Sequence, residues 1–414
     1  MRIAVVDHIG NFGGGSRVIR AMLPAMRKLR TNLEIVYFGN PVSMQREQMA
    51  KEFNRYGIET RALNSMTLVS RDLFGIGGIA AIIRRLRTKF EKRLVSLPPY
   101  FSGAVHREVE RVCQGFDLAY FPWLFYINCP RLSCPMVGTF HDFNFKYYFS
   151  GPSMFTKDQL RVLNREIPIW LEKSTPVVST FFMAGELEKF YPKYAGKLKV
   201  VHLAPMSTIS RIKEEQAKSI VSEFGIIDPY ILYPTNINTH KNIGPLLAAL
   251  RLLNDRGFTL SLVVTGPGTE VIRGRACGIG LELGRERKNV YGLGYVSNLQ
   301  MDSLIQCASA VVTTSLYEAG NGPGIDAWRS GVPVAMSNIP AFMEHIEVQN
   351  VRAQVFDPRI PQDIADKIAN IFSNPEEAKA DAQHSRESIQ KFTWLQTAEK
   401  YLSIFDEAIA GFQK

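Results

Sequence analysis

Glu318 and Asp326 stand eight residues apart, one on each side of a glycine-rich turn, in the segment Thr-Thr-Ser-Leu-Tyr-Glu-Ala-Gly-Asn-Gly-Pro-Gly-Ile-Asp (313–326). An apolar run at 308–312 precedes the turn and reads as a buried strand. A short helix follows, expected to open at Pro323, with Asp326 in its first turn, and to stop at Gly331. The N–H groups of Gly322, Gly324 and Ile325 are then expected to be free. With the helix dipole they would suit a phosphate, and Asn321 lies among them. A phosphate site between two carboxylates suits a ligand that carries both a diphosphate and sugar hydroxyls.

Other groups with chemical potential fall at the ends of apolar runs. Lys241 closes Tyr233-Pro-Thr-Asn-Ile-Asn-Thr-His-Lys, at the start of a helical pattern. A cation is mildly unfavourable there, which argues for a functional use. His141 follows the run at 136–140 and is a candidate hydrogen-bond partner for a substrate, not a nucleophile. Gly14 and Gly15, in the loop expected after the first strand, would let a ligand approach the backbone. Gly266, in Thr-Gly-Pro-Gly, and Tyr295, in Gly-Tyr-Val, lie in two later loops of the same kind.

The 312–334 segment resembles the Glu-x7-Glu signature of the retaining glycosyltransferases of family 4 (glycosyl transferases group 1). Here it reads Glu-x7-Asp, with Ala-Gly-Asn-Gly-Pro where that family often has Gly-Phe-Gly-Leu-Pro. The resemblance is close over 230–345 and looser over 1–205. It implies the GT-B fold: α/β, with two doubly wound Rossmann-like domains facing across a cleft. It also implies a nucleotide-sugar donor and a metal-independent, retaining transfer. Glu318 would hold donor hydroxyls and Asp326 the ribose. Lys241 and the amides near Gly322 and Gly324 would hold the diphosphate, with Asn236 near the place of a family arginine. Tyr295 would lie by the nucleobase, Gly266 would face the cleft, His141 would sit near the reacting centre, and Gly14 and Gly15 would lie by donor and acceptor. Acceptors in the family are glycans, many of them lipid-linked, and the resemblance implies cell-surface polysaccharide synthesis. The remaining readings are a GT-B epimerase or phosphorylase, and a non-catalytic protein that binds anionic polymers or membranes.

The elements that must position these residues alternate. Strands are expected at 3–7, 33–38, 118–121, 136–140, 176–179 and 199–201. A second series has strands at 230–233, 260–265, 289–292 and 310–314, with helices at 243–255 and 300–307. Alternation of this kind implies parallel sheets with ligands at the carboxyl ends of their strands. The expected domains are 1–205, binding acceptor, and 206–392, binding donor. A polar helix near 210–224 lies between the two series, and a final helix over 393–414 is expected to cross back to the first domain.

Composition agrees with two globular domains: 414 residues, 46% hydrophobic and 21% charged. Five scattered cysteines without a Cys-x-x-Cys pair imply a reducing compartment and no zinc site. No apolar run is long enough to span a bilayer, and Met-Arg-Ile-Ala-Val-Val-Asp reads as a strand rather than a signal peptide. A cytoplasmic protein is expected, with no metal and no nucleic acid as partner. The formal charge of +10 favours anionic partners. Residues 79–94 combine apolar positions at helical spacing with six arginines and lysines, the pattern of a helix lying on an anionic membrane.

Overall fold

The computed structural model describes residues 1–8, 14–40, 49–64, 103–124, 127–147, 157–205, 212–273 and 288–412. The basic segment 79–94 and Gly13 lie outside them. The chain forms two compact units. The first comprises Met1–Lys146, Ser153–Leu203 and Trp394–Lys414; the second comprises Tyr147–Pro152 and Ala204–Thr393.

In the first unit seven parallel strands lie in the order β3-β2-β1-β4-β5-β6-β7. They are β1 (Arg2–Asp7), β2 (Glu34–Gly39), β3 (Glu59–Ala62), β4 (Leu118–Phe121), β5 (Met136–Thr139), β6 (Ser174–Val178) and β7 (Lys199–Val200). Side chains alternate across the sheet. Ile3, Val5, Ile35, Tyr37, Leu118 and Tyr120 therefore share one face. They bury it against Ile19, Met22, Leu23 and Met26 of the helix Gly14–Leu29, and against Tyr401, Leu402 and Phe405 of the helix Trp394–Phe412. Polar links hold that last helix down as well. The Thr139 hydroxyl stands 3.1 Å from the Tyr401 hydroxyl and 2.9 Å from that of Tyr120. Arg30 pairs with Asp406, and Lys199 pairs with Glu407 at 2.7 Å.

The second unit has six parallel strands in the order β10-β9-β8-β11-β12-β13. They are β8 (Tyr230–Pro234), β9 (Ser261–Thr265), β10 (Val290–Gly292), β11 (Ala310–Thr313), β12 (Val334–Ser337) and β13 (Gln354–Phe356). Both faces are covered, so the strands read as continuous apolar runs. Ile231, Leu262, Val264 and Val312 pack under the helices Ile243–Asp255 and Pro361–Ser373. Tyr230, Leu232, Val263 and Val311 pack on the other face with Leu304, Trp328 and Phe342.

Several boundaries differ from the sequence reading. Gly14 and Gly15 open the first helix instead of lying in the loop before it. A helix tolerates glycine in its first turn, where four N–H groups have no intrahelical partner in any case. The helix expected near 210–224 spans only Glu214–Ser222. Strand β3 was not expected. It is an edge strand of sequence Glu-Thr-Arg-Ala with no fully buried residue, so it carries no apolar signal.

Candidate functional site

In each sheet the strand order reverses at one point: between β1 and β4 in the first, and between β8 and β11 in the second. Ligands of open α/β sheets bind outside the carboxyl ends of the strands at such a point. In the second unit the chain leaving β8 carries Lys241, and the chain leaving β11 carries Glu318. The two side chains form an ion pair there through Lys241 Nζ and Glu318 Oε1.

A set of hydroxyl groups fixes this pair. The Ser315 hydroxyl donates to Glu318 Oε1 at 2.6 Å. The Tyr233 hydroxyl, rising from β8, donates to the Lys241 carbonyl at 2.8 Å and stands 3.0 Å from Ser315 Oγ. Thr314 donates to the carbonyls of Lys241 and Asn242, both at 3.2 Å, and the Leu316 N–H donates to the His240 carbonyl at 2.7 Å. Asn242 is left-handed, with φ of 56°, which turns the chain from the Thr239–Lys241 turn into the helix Ile243–Asp255. Its side chain donates to the Pro358 carbonyl at 2.6 Å. Asn236 accepts the Asn238 N–H at 3.0 Å and so shapes the approach to Lys241. Both lone pairs engaged on Glu318 belong to Oε1; Oε2 has no partner among the described residues and remains an acceptor for hydroxyls.

The helix start differs from expectation. The helix Gly322–Ser330 opens one residue early, with Asn321 as its N-cap. The Asn321 side chain accepts the Gly324 N–H at 2.9 Å, and its carbonyl accepts the Ile325 N–H at 2.9 Å. Those two amides are therefore occupied, and Pro323 has none. Gly322 keeps the one N–H of this first turn with no partner among the described residues. A Cβ added at Gly322 would meet nothing within 4 Å, so the space before that amide is open. Gly324 has another reason to be glycine: a Cβ there would come within 2.5 Å of the Asn321 side-chain nitrogen. His345 Nε2 accepts the Asn321 N–H at 2.9 Å. His345 Nδ1 therefore carries the proton, which it gives to Gln349 Oε1 at 2.7 Å. Asp326 lies past the first turn rather than in it, because the helix begins at Gly322. At 2% exposure its carboxylate offers no open face to a ribose.

The loops after β9 and β10 are stitched together. The Gly266 N–H donates to the Gly294 carbonyl at 2.8 Å, as does the Thr265 hydroxyl at 2.9 Å. Thr269 donates to the Gly266 carbonyl at 2.8 Å and accepts the Gly294 N–H at 3.0 Å. These bonds present Tyr295 with its ring 57% exposed.

His141 belongs to the first unit, in the loop after β5. Its ring stacks on Trp123 with centroids 4.4 Å apart, and Nε2 stands 2.6 Å from the Pro122 carbonyl. A carbonyl oxygen cannot donate, so Nε2 carries the proton and Nδ1 keeps its lone pair. Loss of hydration outweighs the carbonyl contact and pulls the pKa from 6.5 down to about 4. His141 is therefore a neutral acceptor at physiological pH. Asp142 beside it accepts the Asn144 N–H at 3.1 Å and shapes the following turn. Gly14 and Gly15 belong to this unit as well.

Tyr233, Ser315, His345 and Trp123 were not expected as site residues. Ser315 lies inside the segment already singled out, and the i, i+4 spacing of His345 and Gln349 on one helix was visible. Tyr233 and Trp123 read as ordinary apolar positions.

Two stability predictions arise here. Asn321→Ala removes the acceptor of the Gly324 N–H and lowers unfolding free energy by about 1–2 kcal/mol, read from the denaturation midpoint. His240 is 5% exposed, and burial, aided by the Lys241 charge, holds its pKa at about 4. The unfolded chain therefore binds a proton that the folded chain refuses between pH 6.5 and about 4. Stability is lost as pH falls through that window, by about 3 kcal/mol for this group. Melting curves at pH 7 and pH 4.5 should converge in His240→Asn relative to wild type; an undiminished gap contradicts the assignment.

The chain is similar to known proteins in sequence and in fold. Residues 218–388 match the family model described as glycosyl transferases group 1. The chain is 23% identical over 268 residues to the O-antigen chain mannosyltransferase B of Escherichia coli, a stretch covering 63% of either chain. It is 24% identical over 176 residues to the MMP alpha-(1->4)-mannosyltransferase of Mycolicibacterium hassiacum, covering 41% of either chain. The chain thus spans less than two thirds of the length of these relatives. Among solved structures, HepE of Anabaena in complex with UDP and glucose superposes with a TM-score of 0.67 at 13% identity, over 98% of this chain and 100% of that one. The two parallel Rossmann-like sheets are those of the GT-B fold, as the sequence led one to expect.

Proposed function

We propose that this chain, whose residues 218–388 belong to the glycosyl transferases group 1, is a retaining hexosyltransferase that uses a nucleotide sugar. The observation that carries the reading is the Lys241–Glu318 pair at the carboxyl ends of β8 and β11, fixed by Ser315 and Tyr233. It sets a cation for the diphosphate beside a carboxylate for sugar hydroxyls, at the point where the fold binds ligands. Lys241 moves from Glu318 to the diphosphate as the donor binds, and both oxygens of Glu318 then become acceptors for the sugar. The Gly322 amide and the dipole of its helix supply the second contact to the diphosphate. Together they replace a divalent cation, so no metal is required.

The sugar C1–O bond to the diphosphate breaks as the acceptor oxygen bonds to C1 on the same face. The acceptor proton passes to the departing phosphate oxygen. His141 accepts a hydrogen bond from a substrate hydroxyl at Nδ1 and does not titrate in the working range. A pH–rate profile for kcat/KM should therefore show no inflection near pH 6.5, and His141→Ala should lower kcat about 10–100-fold without creating one, since the group removed is a neutral acceptor. Asp326 would reach the ribose only after its carboxylate is uncovered.

The names of the two relatives support a mannosyl group, and the O-antigen enzyme supports a glycan or lipid-linked glycan acceptor in cell-surface polysaccharide synthesis. Among the described residues no helix is long and apolar enough to cross a membrane. A thermal-shift panel of GDP-, UDP- and dTDP-hexoses tests the reading. A donor present at 100 times its dissociation constant stabilises by about 2.7 kcal/mol. One donor should do so in wild type and much less in Glu318→Ala. No stabilisation by any of them, or turnover that needs no acceptor, ends the proposal.

A further inference from the structure

The first unit holds a cavity of about 610 Å³ whose lining includes none of the candidate site residues. It lies at the β3 edge of the sheet, beside the helix Gly103–Val112. Arg2 from β1, Arg61 from β3 and Arg111 from that helix contribute guanidinium groups, and Phe38 and Phe116 contribute rings. The rings meet edge to face at 5.9 Å. Arg2 lies over the Phe116 ring at 4.4 Å, and Arg61 lies 6.0 Å from the Phe38 centroid. Stacking of this kind fixes the plane of a guanidinium and leaves its edge to form hydrogen bonds.

Each arginine has a carboxylate neighbour, and Arg61 feels Glu34 as well as Glu59, but the pairs use few of the donors. Arg2 gives its Nε–H to Glu34 at 2.6 Å, and Arg61 gives its Nε–H to Glu59 at 2.6 Å. Glu34 and Glu59 are not among the lining residues. Among the described residues Arg111 has a 3.7 Å ion pair with Glu108 alone, and that Glu108 oxygen already accepts the Asn64 N–H at 2.9 Å. The Nη groups of Arg2 and Arg61 have no partner among the described residues. Two stacked arginines and Arg111, all with unused N–H donors among the described residues, therefore line a space of a size that takes a small molecule. Paired oxyanions match such forks, and a diphosphate can engage more than one of them at once.

We propose that this cavity binds a soluble small molecule bearing phosphoryl groups, at a site separate from the one that holds Lys241. The recess beside the helix favours a small molecule over a flat surface. The neighbouring carboxylates cancel part of the charge, so affinity falls with added salt.

The test is calorimetric titration with inorganic pyrophosphate at low ionic strength, on a Lys241→Ala background that silences the first site. Saturable binding is expected. Arg61→Gln with Arg111→Gln should weaken it at least tenfold with no change in melting temperature, since both side chains are exposed (49% and 69%). Gln114→Trp, which fills the cavity without removing charge, should weaken it as much. Binding by either variant as tight as that of the background protein, no binding by the background protein, or citrate binding more tightly than pyrophosphate would overturn the proposal.

Discussion

Lys241→Ala should lower kcat about 10²–10³-fold, the range seen when one preorganised group that stabilises developing charge is removed. The expected loss is in turnover rather than folding. Lys241 and Glu318 are both partly exposed, and Glu318 retains its bond from Ser315 when the lysine is gone. Glu318→Ala should cost a similar factor for a different reason, through lost contacts to the donor sugar. The double variant should be no worse than about the poorer single one, because the two groups act on one donor and their effects do not add. Initial rates at saturating donor, with melting curves for the same proteins, check this. A Lys241→Ala enzyme with wild-type kcat removes the lysine from the mechanism.

Gly266→Ala carries the largest stability effect. Gly266 has φ of 133°, and a Cβ there would lie 1.7 Å from the Thr235 carbonyl oxygen. The obstacle is backbone, so no rotamer change relieves it. The chain must move, and with it the Gly266–Gly294 and Thr269 bonds that join the two loops. A loss of about 3 kcal/mol or more follows from strain and broken hydrogen bonds together. Gly322→Ala is the control. Its Cβ meets nothing, so stability should change by less than about 1 kcal/mol, while affinity for a nucleoside diphosphate should fall because the methyl group stands beside the open amide. Denaturation midpoints of the two variants separate the two uses of glycine; equal midpoints contradict the geometry.

The second unit was the more legible of the two in the sequence. Its strands are buried on both faces and read as apolar runs, and the spacing of Lys241, Gly266 and Glu318 falls on their carboxyl ends. Four things were not legible. Strand β3 is held at the edge of its sheet by backbone pairing to β2, and its side chains carry no pattern. The amides of Gly324 and Ile325 look free in any sequence with glycine at a helix start. Only the placement of Asn321 shows that they are taken: its side-chain and backbone carbonyl oxygens accept them, and His345 of the helix Pro340–Gln349 holds its own N–H. The burial of Asp326 depends on how its helix packs, which spacing alone does not report. The tautomer of His141 likewise rests on the Pro122 carbonyl, a contact between two loops. The helix boundaries that moved did so by one to four residues at their ends, where helices fray and sequence signals are weakest.

With one amide left at the helix start, the grip on the diphosphate falls mainly to Lys241. Titration of the preferred nucleoside diphosphate into wild type and Lys241→Met, each with EDTA and with magnesium, measures that grip directly. The account predicts the same affinity for wild type in both buffers and a loss of about tenfold or more in the variant. Binding by wild type only when magnesium is present, or equal affinity of wild type and Lys241→Met in EDTA, would contradict it.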